Sequence, residues 1–209
     1  MNTIVYLVRH SEPFKIHRGI EDVNENILFS NIKSPLSVNG EKLAEKVSLN
    51  TEFNNLDAVW SSDYVRTMST AKYFAQNNNL KVNISYQLGE RKHGVNSWHE
   101  LPSDFEIHQF QDENYKIGNG ESQKEVRERI YNKLIKVIEE NKGKRILIVG
   151  HSTAIAYLLG KWCEISYDSY YKFNGKTFFD GKWDYLETFK LEFDAHNDLI
   201  KIGNIKHID

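Results

Sequence analysis

The chain has 209 residues, 40% hydrophobic and 27% charged, with a formal net charge of −2. That length suits one domain (1–209) with a substantial core, and so even a charge balance excludes a whole-molecule field built for nucleic acid or an anionic membrane. Cys163 is the only cysteine, the first residues lack a signal-peptide pattern, and no apolar run approaches the ~20 residues that span a bilayer, so a cytoplasmic protein without an internal disulfide is predicted.

Ile4 to Val8 is an apolar run that stops at Arg9-His10, with Pro13 three residues beyond the histidine. Such a run predicts a strand buried on both faces, as in a parallel sheet, with Arg9 and His10 at its C-terminal tip, where open α/β sheets bind ligands. An irregular polar stretch, Phe14 to Lys33, and Ser34-Pro35-Leu36-Ser37 follow. Asn39-Gly40 then introduces a helix over 41–48. Leu56 to Trp60 predicts a second strand, and Ser61, Ser62 and Asp63 supply cap oxygens for a helix reaching Gln76. Lys81 to Ser85 alternates as a third strand. Gly89 to Gly120 is a long excursion, a lid or insertion, carrying Arg91, Lys92, His93, Trp98, His99 and Pro102.

The period of Val126, Ile130, Leu134, Val137 and Ile138 predicts a helix over 121–141. Arg145 to Val149 then repeats the opening arrangement, an apolar strand running into Gly150-His151-Ser152. The two strand-tip histidines can share a pocket if their strands are neighbours. Thr153 to Trp162 predicts an apolar helix, the aromatic-rich run Tyr167 to Phe179 predicts hydrophobic packing, and Trp183–Phe193 with Leu199–Ile205 predicts an antiparallel hairpin. The predicted fold class is a three-layer α/β/α domain with a mostly parallel central sheet and a C-terminal antiparallel hairpin.

Five separated pieces stand in order: LVRHSE at Leu7–Glu12, SPLSVNG at Ser34–Gly40, SSDYVRTMSTA at Ser61–Ala71, LGE ending at Glu90, and GES…VGHS from Gly120 to Ser152. In them the chain resembles the histidine phosphatase (phosphoglycerate mutase-like) superfamily, in the branch with a glutamate proton donor. The resemblance implies that a glutamate after the third strand, here Glu90, reaches over the nucleophile's pocket. The acid-phosphatase branch has an aspartate directly after its second motif histidine, where this chain has Ser152. Mutases of the family usually continue the first motif with a threonine or serine and then an asparagine, where this chain has Pro13 and Ile16.

Phosphoryl transfer needs a nucleophile, clamps for phosphoryl oxygens and a proton for the leaving group. His10 is the candidate nucleophile, kept neutral by neighbouring arginines. Arg9 and Arg66 are the clamps, because a guanidinium presents a planar fork of donors to phosphate. Arg66 also lies in the first turn of its helix, where amides and dipole favour an anion. His151 is expected to hydrogen-bond the phosphoryl group as a cation, assisted by Ser152, and Glu90 to donate the proton. Ser11 is a further phosphate ligand, Glu12 a candidate for orienting Arg9 or Arg66, and Arg91 and His93, with His17 and Arg18, lie where substrate would be read. The remaining histidines, His99, His108, His196 and His207, show no metal-ligand spacing, so neither metal nor cofactor is predicted.

The sequence therefore points to a metal-independent phosphomonoesterase acting on a small phosphorylated metabolite through phosphohistidine at His10, as a monomer or homodimer. A phosphoglycerate mutase or sugar bisphosphatase is the alternative, and a non-catalytic phospho-ligand-binding protein a third reading.

Overall fold

The computed structural model describes residues 1–14, 31–167 and 169–207; His17, Arg18 and Ile16 lie outside the described residues. The apolar runs become the centre of a six-stranded sheet. Strand β1 (Thr3–Arg9) pairs in parallel with β4 (Arg145–Gly150), β4 with β2 (Ala58–Ser61), and β2 with β3 (Val82–Ile84). On the other side of β1, β8 (Thr188–Phe193) and β9 (Leu199–Ile205) add as an antiparallel hairpin, giving the order β3-β2-β4-β1-β8-β9.

Alternation along the central strands fills two separate cores, one on each face. Val5, Leu7, Ile146 and Ile148 point to one of them. There they meet Val126, Ile130, Leu134, Val137 and Ile138 of α4 (Gln123–Glu140) and Ala154, Leu158 and Leu159 of α5 (Ser152–Leu159). Tyr6, Val8, Leu147 and Val149 point the other way, onto Val47 of α1 (Val38–Ser48) and Ala71, Phe74 and Ala75 of α2 (Val65–Asn77). The result is the predicted mostly parallel sheet between helical layers. Among the described residues no helix is long and apolar enough to cross a membrane.

Several boundaries differ from expectation, each for a local reason. Helix α1 starts at Val38, so Asn39 and Gly40 belong to its first turn, because the Ser37 hydroxyl accepts from the Gly40 amide at 2.9 Å. The 89–120 excursion contains a 3-10 turn at Trp98–Glu100 and a short helix, α3 (Phe105–Gln111), and returns to a Ser122–Glu125 capping box that starts α4. The aromatic-rich run supplies β6 (Tyr171–Phe173) and β7 (Lys176–Phe179), which join β5 (Glu164–Ile165) just before it in a second, three-stranded antiparallel sheet. Its signal is the dipeptide Asn174-Gly175, with φ of 48° and 74°, which makes the two-residue turn between β6 and β7. Trp183 to Glu187, expected as strand, turns instead through Leu186 at φ 62°, and β8 begins only at Thr188. Alternation there reads as a strand, but the backbone is needed to carry Trp183 and Tyr185 across the sheet's end.

The SPLSVNG piece has a mechanical meaning. A Cβ on Gly40 would lie 2.1 Å from the Glu12 carbonyl oxygen, so α1 packs directly on the backbone that follows His10. Glu12 holds this junction, accepting from the Ser37 hydroxyl at 2.8 Å through Oε1 and from the Ser37 amide at 3.0 Å through its carbonyl. It is thus committed to the start of α1, and not to Arg9 or Arg66. Gly40→Ala is expected to destabilise the fold by about 1–3 kcal/mol through overpacking, read as a lower urea midpoint; an unchanged midpoint would contradict this contact.

Candidate active site

Four neighbouring strand ends supply the site. The β1–β4 register sets Arg9 opposite Gly150, and the His10 amide donates to the Gly150 carbonyl at 3.0 Å. His10 and His151 therefore leave adjacent tips, with ring centroids 5.4 Å apart. Strand β2 ends next to β4 and delivers Ser62, then Tyr64 and Arg66 at the start of α2. The antiparallel β8 begins beside Val8, so the turn before it brings Trp183 and Tyr185 to the same end.

His10 is 7% exposed, and its Nδ1 lies 2.7 Å from the Ser11 carbonyl oxygen. A carbonyl only accepts, so Nδ1 carries the proton and Nε2 the lone pair. Burial first, and Arg66 and Arg9 after it, push the pKa of His10 well below the ordinary value. The ring is neutral, as a nucleophile must be.

His151 is fully buried and faces two different partners. Its Nδ1 lies 3.0 Å from the Arg66 Nη2 donor and so accepts, which leaves Nε2–H to donate to the Ser62 hydroxyl at 2.9 Å. Ser62 passes its own proton to Thr67 Oγ1 at 2.6 Å, and Thr67 donates to the Tyr64 carbonyl at 2.8 Å. Every member of that chain has a consistent role. Burial and then Arg66 hold His151 well below the ordinary pKa, so with no phosphoryl group beside it the ring accepts from a guanidinium instead of donating as a cation.

Arg9 donates from Nη1 to the Trp183 carbonyl at 2.8 Å and lies over the Tyr185 ring at 4.7 Å, while its buried Nε–H has no partner among the described residues. Arg66 lies over the Tyr64 ring at 4.9 Å and donates to the Asn31 side-chain oxygen at 2.9 Å and to the Asn31 carbonyl. An unsatisfied buried guanidinium donor beside two neutral imidazoles is an anion-seeking arrangement. Glu90 acts electrostatically on Arg9, Arg66 and Tyr64, raising the pKa of each against the dominant effect of burial on the arginines. Its Oε1 accepts from the Arg91 amide at 2.9 Å. Arg129 of α4, which sequence reading passed over, secures this segment by donating to the carbonyls of Gln87, Gly89 and Glu90 while paired to Glu121 at 2.7 Å.

Not every expected site residue faces the pocket in the expected way. Ser11 is fully buried, with its hydroxyl on the Gly40 carbonyl at 2.7 Å and its amide on Thr70 Oγ1 at 3.0 Å, so both groups offered for phosphate are already engaged in holding the loop. Ser152 heads α5 and, with Arg9, lines a cleft of about 540 Å³. Arg91 lines that cleft too, but donates to His93 Nε2, Gln109, Tyr157 and Glu106. His93 packs between Trp98 and Phe105 and is not part of the lining. The expected caps Ser61 to Asp63 do not cap α2: its N-cap is Tyr64, without a side-chain bond, and Ser62 serves His151 instead.

The family model for the histidine phosphatase superfamily, branch 1, matches residues 5–179. The chain belongs to the histidine phosphatase superfamily. Among curated proteins it is 29% identical over 167 residues to Probable phosphoglycerate mutase GpmB of Escherichia fergusonii, covering 74% of this chain and 72% of that one. The protein of the same name from Salmonella arizonae is 30% identical over 165 residues, with the same coverage. Among solved structures, a mycobacterial glucosyl-3-phosphoglycerate phosphatase superposes with a TM-score of 0.70 at 14% identity, covering 98% of this chain and 97% of that one. A phosphoserine phosphatase mutant from Entamoeba histolytica gives 0.65 at 18%, covering 96% of each. These structural likenesses establish the fold.

The buried histidines set a pH dependence of stability. His10, His151 and His93, the last at about 4, have folded pKa values below the ordinary 6.5. The unfolded chain therefore takes up protons first as pH falls, and stability present above about pH 6.5 is lost below it. The urea midpoint is expected to drop between pH 7 and 5.5, before most carboxylates titrate. A flat or rising midpoint in that window would show these rings protonated in the fold.

Proposed function

We propose that the chain is a phosphomonoesterase that hydrolyses a small phosphorylated metabolite through a covalent phosphohistidine on His10. The observation that carries this reading is the tautomer of His10: Nδ1–H fixed on the Ser11 carbonyl leaves the Nε2 lone pair beside His151, with Arg9 and Arg66 at the same site. Arg9 and Arg66 take the non-bridging oxygens, and Nε2 attacks phosphorus in line as the ester P–O bond breaks. Glu90 is the proposed source of the proton that goes to the departing alcohol. Glu90 as carboxylate then takes a proton from water, whose oxygen attacks the phosphoryl group. The P–N bond breaks and its electron pair returns to Nε2, releasing inorganic phosphate.

His151 has a supporting part. A phosphoryl dianion arriving at Arg66 competes for the guanidinium donor on Nδ1, and a negative neighbour raises the affinity of that nitrogen for a proton. The neutral ring at rest becomes a donor to phosphate only when phosphate is present, with Ser62 holding the opposite nitrogen. Ser152, at the head of α5, lies where its amide and hydroxyl would assist.

A phosphoglycerate mutase is the second reading, favoured by the names of the curated relatives at 29–30% identity. Products separate the two. A mutase returns the phosphoryl group to an isomerised substrate faster than it releases phosphate.

His10→Ala is expected to lower kcat on p-nitrophenyl phosphate by at least ~10³-fold without loss of secondary structure by circular dichroism. Near-native turnover would remove His10 from its role. Glu90→Gln is expected to cost about 10²–10⁴ on alkyl phosphates but far less on p-nitrophenyl phosphate, whose leaving group needs no proton. Equal losses on both esters would point to another acid.

A further inference from the structure

The cleft of about 540 Å³ that opens from Arg9 and Ser152 falls within the ~300–1,000 Å³ range of sites for drug-sized ligands, much more room than a phosphoryl group needs. Its charges decide what can fill it. Beyond Arg9, which belongs to the phosphate end, the described lining carries two other cations, and each has a carboxylate partner. Arg91 is paired to Glu106 at 2.6 Å, and Arg127 to Glu113. Arg91 is 5% exposed, and its other donors go to His93, Gln109 and Tyr157. Cys163 adds no charge, since burial pushes its thiol up to about 12.

A carboxylate or second phosphate entering this space would meet guanidiniums already neutralised, and the Glu106 carboxylate in the wall. Lost hydration without a counter-charge makes that costly. What the wall does offer is ring faces and hydroxyls. Trp183 and Tyr167 line it, the Phe110 ring lies 5.2 Å from that of Tyr167, and Ser152 and Thr153 supply neutral polar groups. Flat apolar faces beside neutral hydrogen-bonding groups suit a ring that bears hydroxyls.

We infer that the substrate is a monophosphate ester whose alcohol is an uncharged, hydroxyl-bearing ring compound of sugar to nucleoside size, and not a phosphorylated carboxylic acid or a bisphosphate. This rests on the phosphatase reading above and gives its leaving group. It makes Glu106 a specificity residue, because its carboxylate cancels Arg91.

The test measures kcat/KM by released phosphate for p-nitrophenyl phosphate, glucose 6-phosphate, adenosine monophosphate, 3-phosphoglycerate and fructose 1,6-bisphosphate, with wild type and Glu106→Gln. At least one of the two neutral-ring esters is expected to exceed 3-phosphoglycerate and the bisphosphate by about tenfold or more in wild type, the ratio for one unpaired charge. Glu106→Gln, which removes the carboxylate paired with Arg91, should shrink that ratio. Preference for 3-phosphoglycerate or the bisphosphate in wild type would overturn the inference while leaving the phosphatase reading standing, and so would a ratio that Glu106→Gln leaves unmoved. No turnover even of p-nitrophenyl phosphate would overturn both.

Discussion

The parallel pairing of β1 with β4, Arg9 opposite Gly150, is the constraint on which everything at the site depends. Both strands are buried on both faces, so each side chain from Val5 to Val8 and from Ile146 to Val149 has an assigned core. A slip of one residue would send Tyr6 into the space of Leu7 and exchange the two cores, so the register is held by every apolar contact along the pair. That same register, and no contact between the histidines themselves, sets His10 beside His151. Because β2 and β8 flank this pair, Ser62 and Tyr185 arrive at the same edge from opposite sides.

Burial then does chemical work. Two imidazoles removed from water next to two guanidiniums have little tendency to take a proton, and backbone or hydroxyl partners decide which nitrogen keeps the one it has. For His10 that partner is a carbonyl one residue away, which turns Nε2 into a lone-pair donor. For His151 it is a chain from Ser62 through Thr67 to the Tyr64 carbonyl. The rings share a pocket and a charge state, yet present opposite tautomers. On the proposed reading, tautomer, more than residue type, separates a nucleophile from a phosphate ligand in this site.

The parts legible in the sequence were those carried by contiguous pattern. Apolar runs gave β1 and β4, the 3.6-residue period gave α4, and abrupt stops at His10 and His151 marked the site. Features that depend on distant residues were not legible. Ser62 precedes a helix, so it reads as a cap; only β2 lying beside β4 makes it the partner of His151. Trp183 to Glu187 alternates and reads as strand, but the turn there carries a carbonyl and a ring onto Arg9, 174 positions away in the chain for the Trp183 contact. Ser11 reads as a phosphate ligand because of its neighbours, whereas close packing of Gly40 on the following backbone claims its hydroxyl. Arg129 sits in an ordinary helical period, and nothing local distinguishes it from a solvated residue. The contact of Arg66 with His151 was not legible either, because it joins residues 85 positions apart.

The same distinction governs the cleft. Two guanidiniums beyond Arg9, those of Arg91 and Arg127, line the cleft. In the fold each has a carboxylate across from it, and a cation whose charge is answered and whose donors are occupied behaves as wall, not as ligand. Ion pairs like these, whose carboxylates stand in solvent, add little stability, because water screens most of the attraction. Their effect is on selection: a paired Arg91 keeps a polar, water-excluding surface rigid without attracting charge. The phosphate end and the leaving-group end are thus built on opposite principles, with an unsatisfied donor on Arg9 at one and neutralised guanidiniums at the other. On the proposed reading, a site so divided would hold the common phosphoryl group by charge and be left to tell substrates apart by shape and neutral hydrogen bonds.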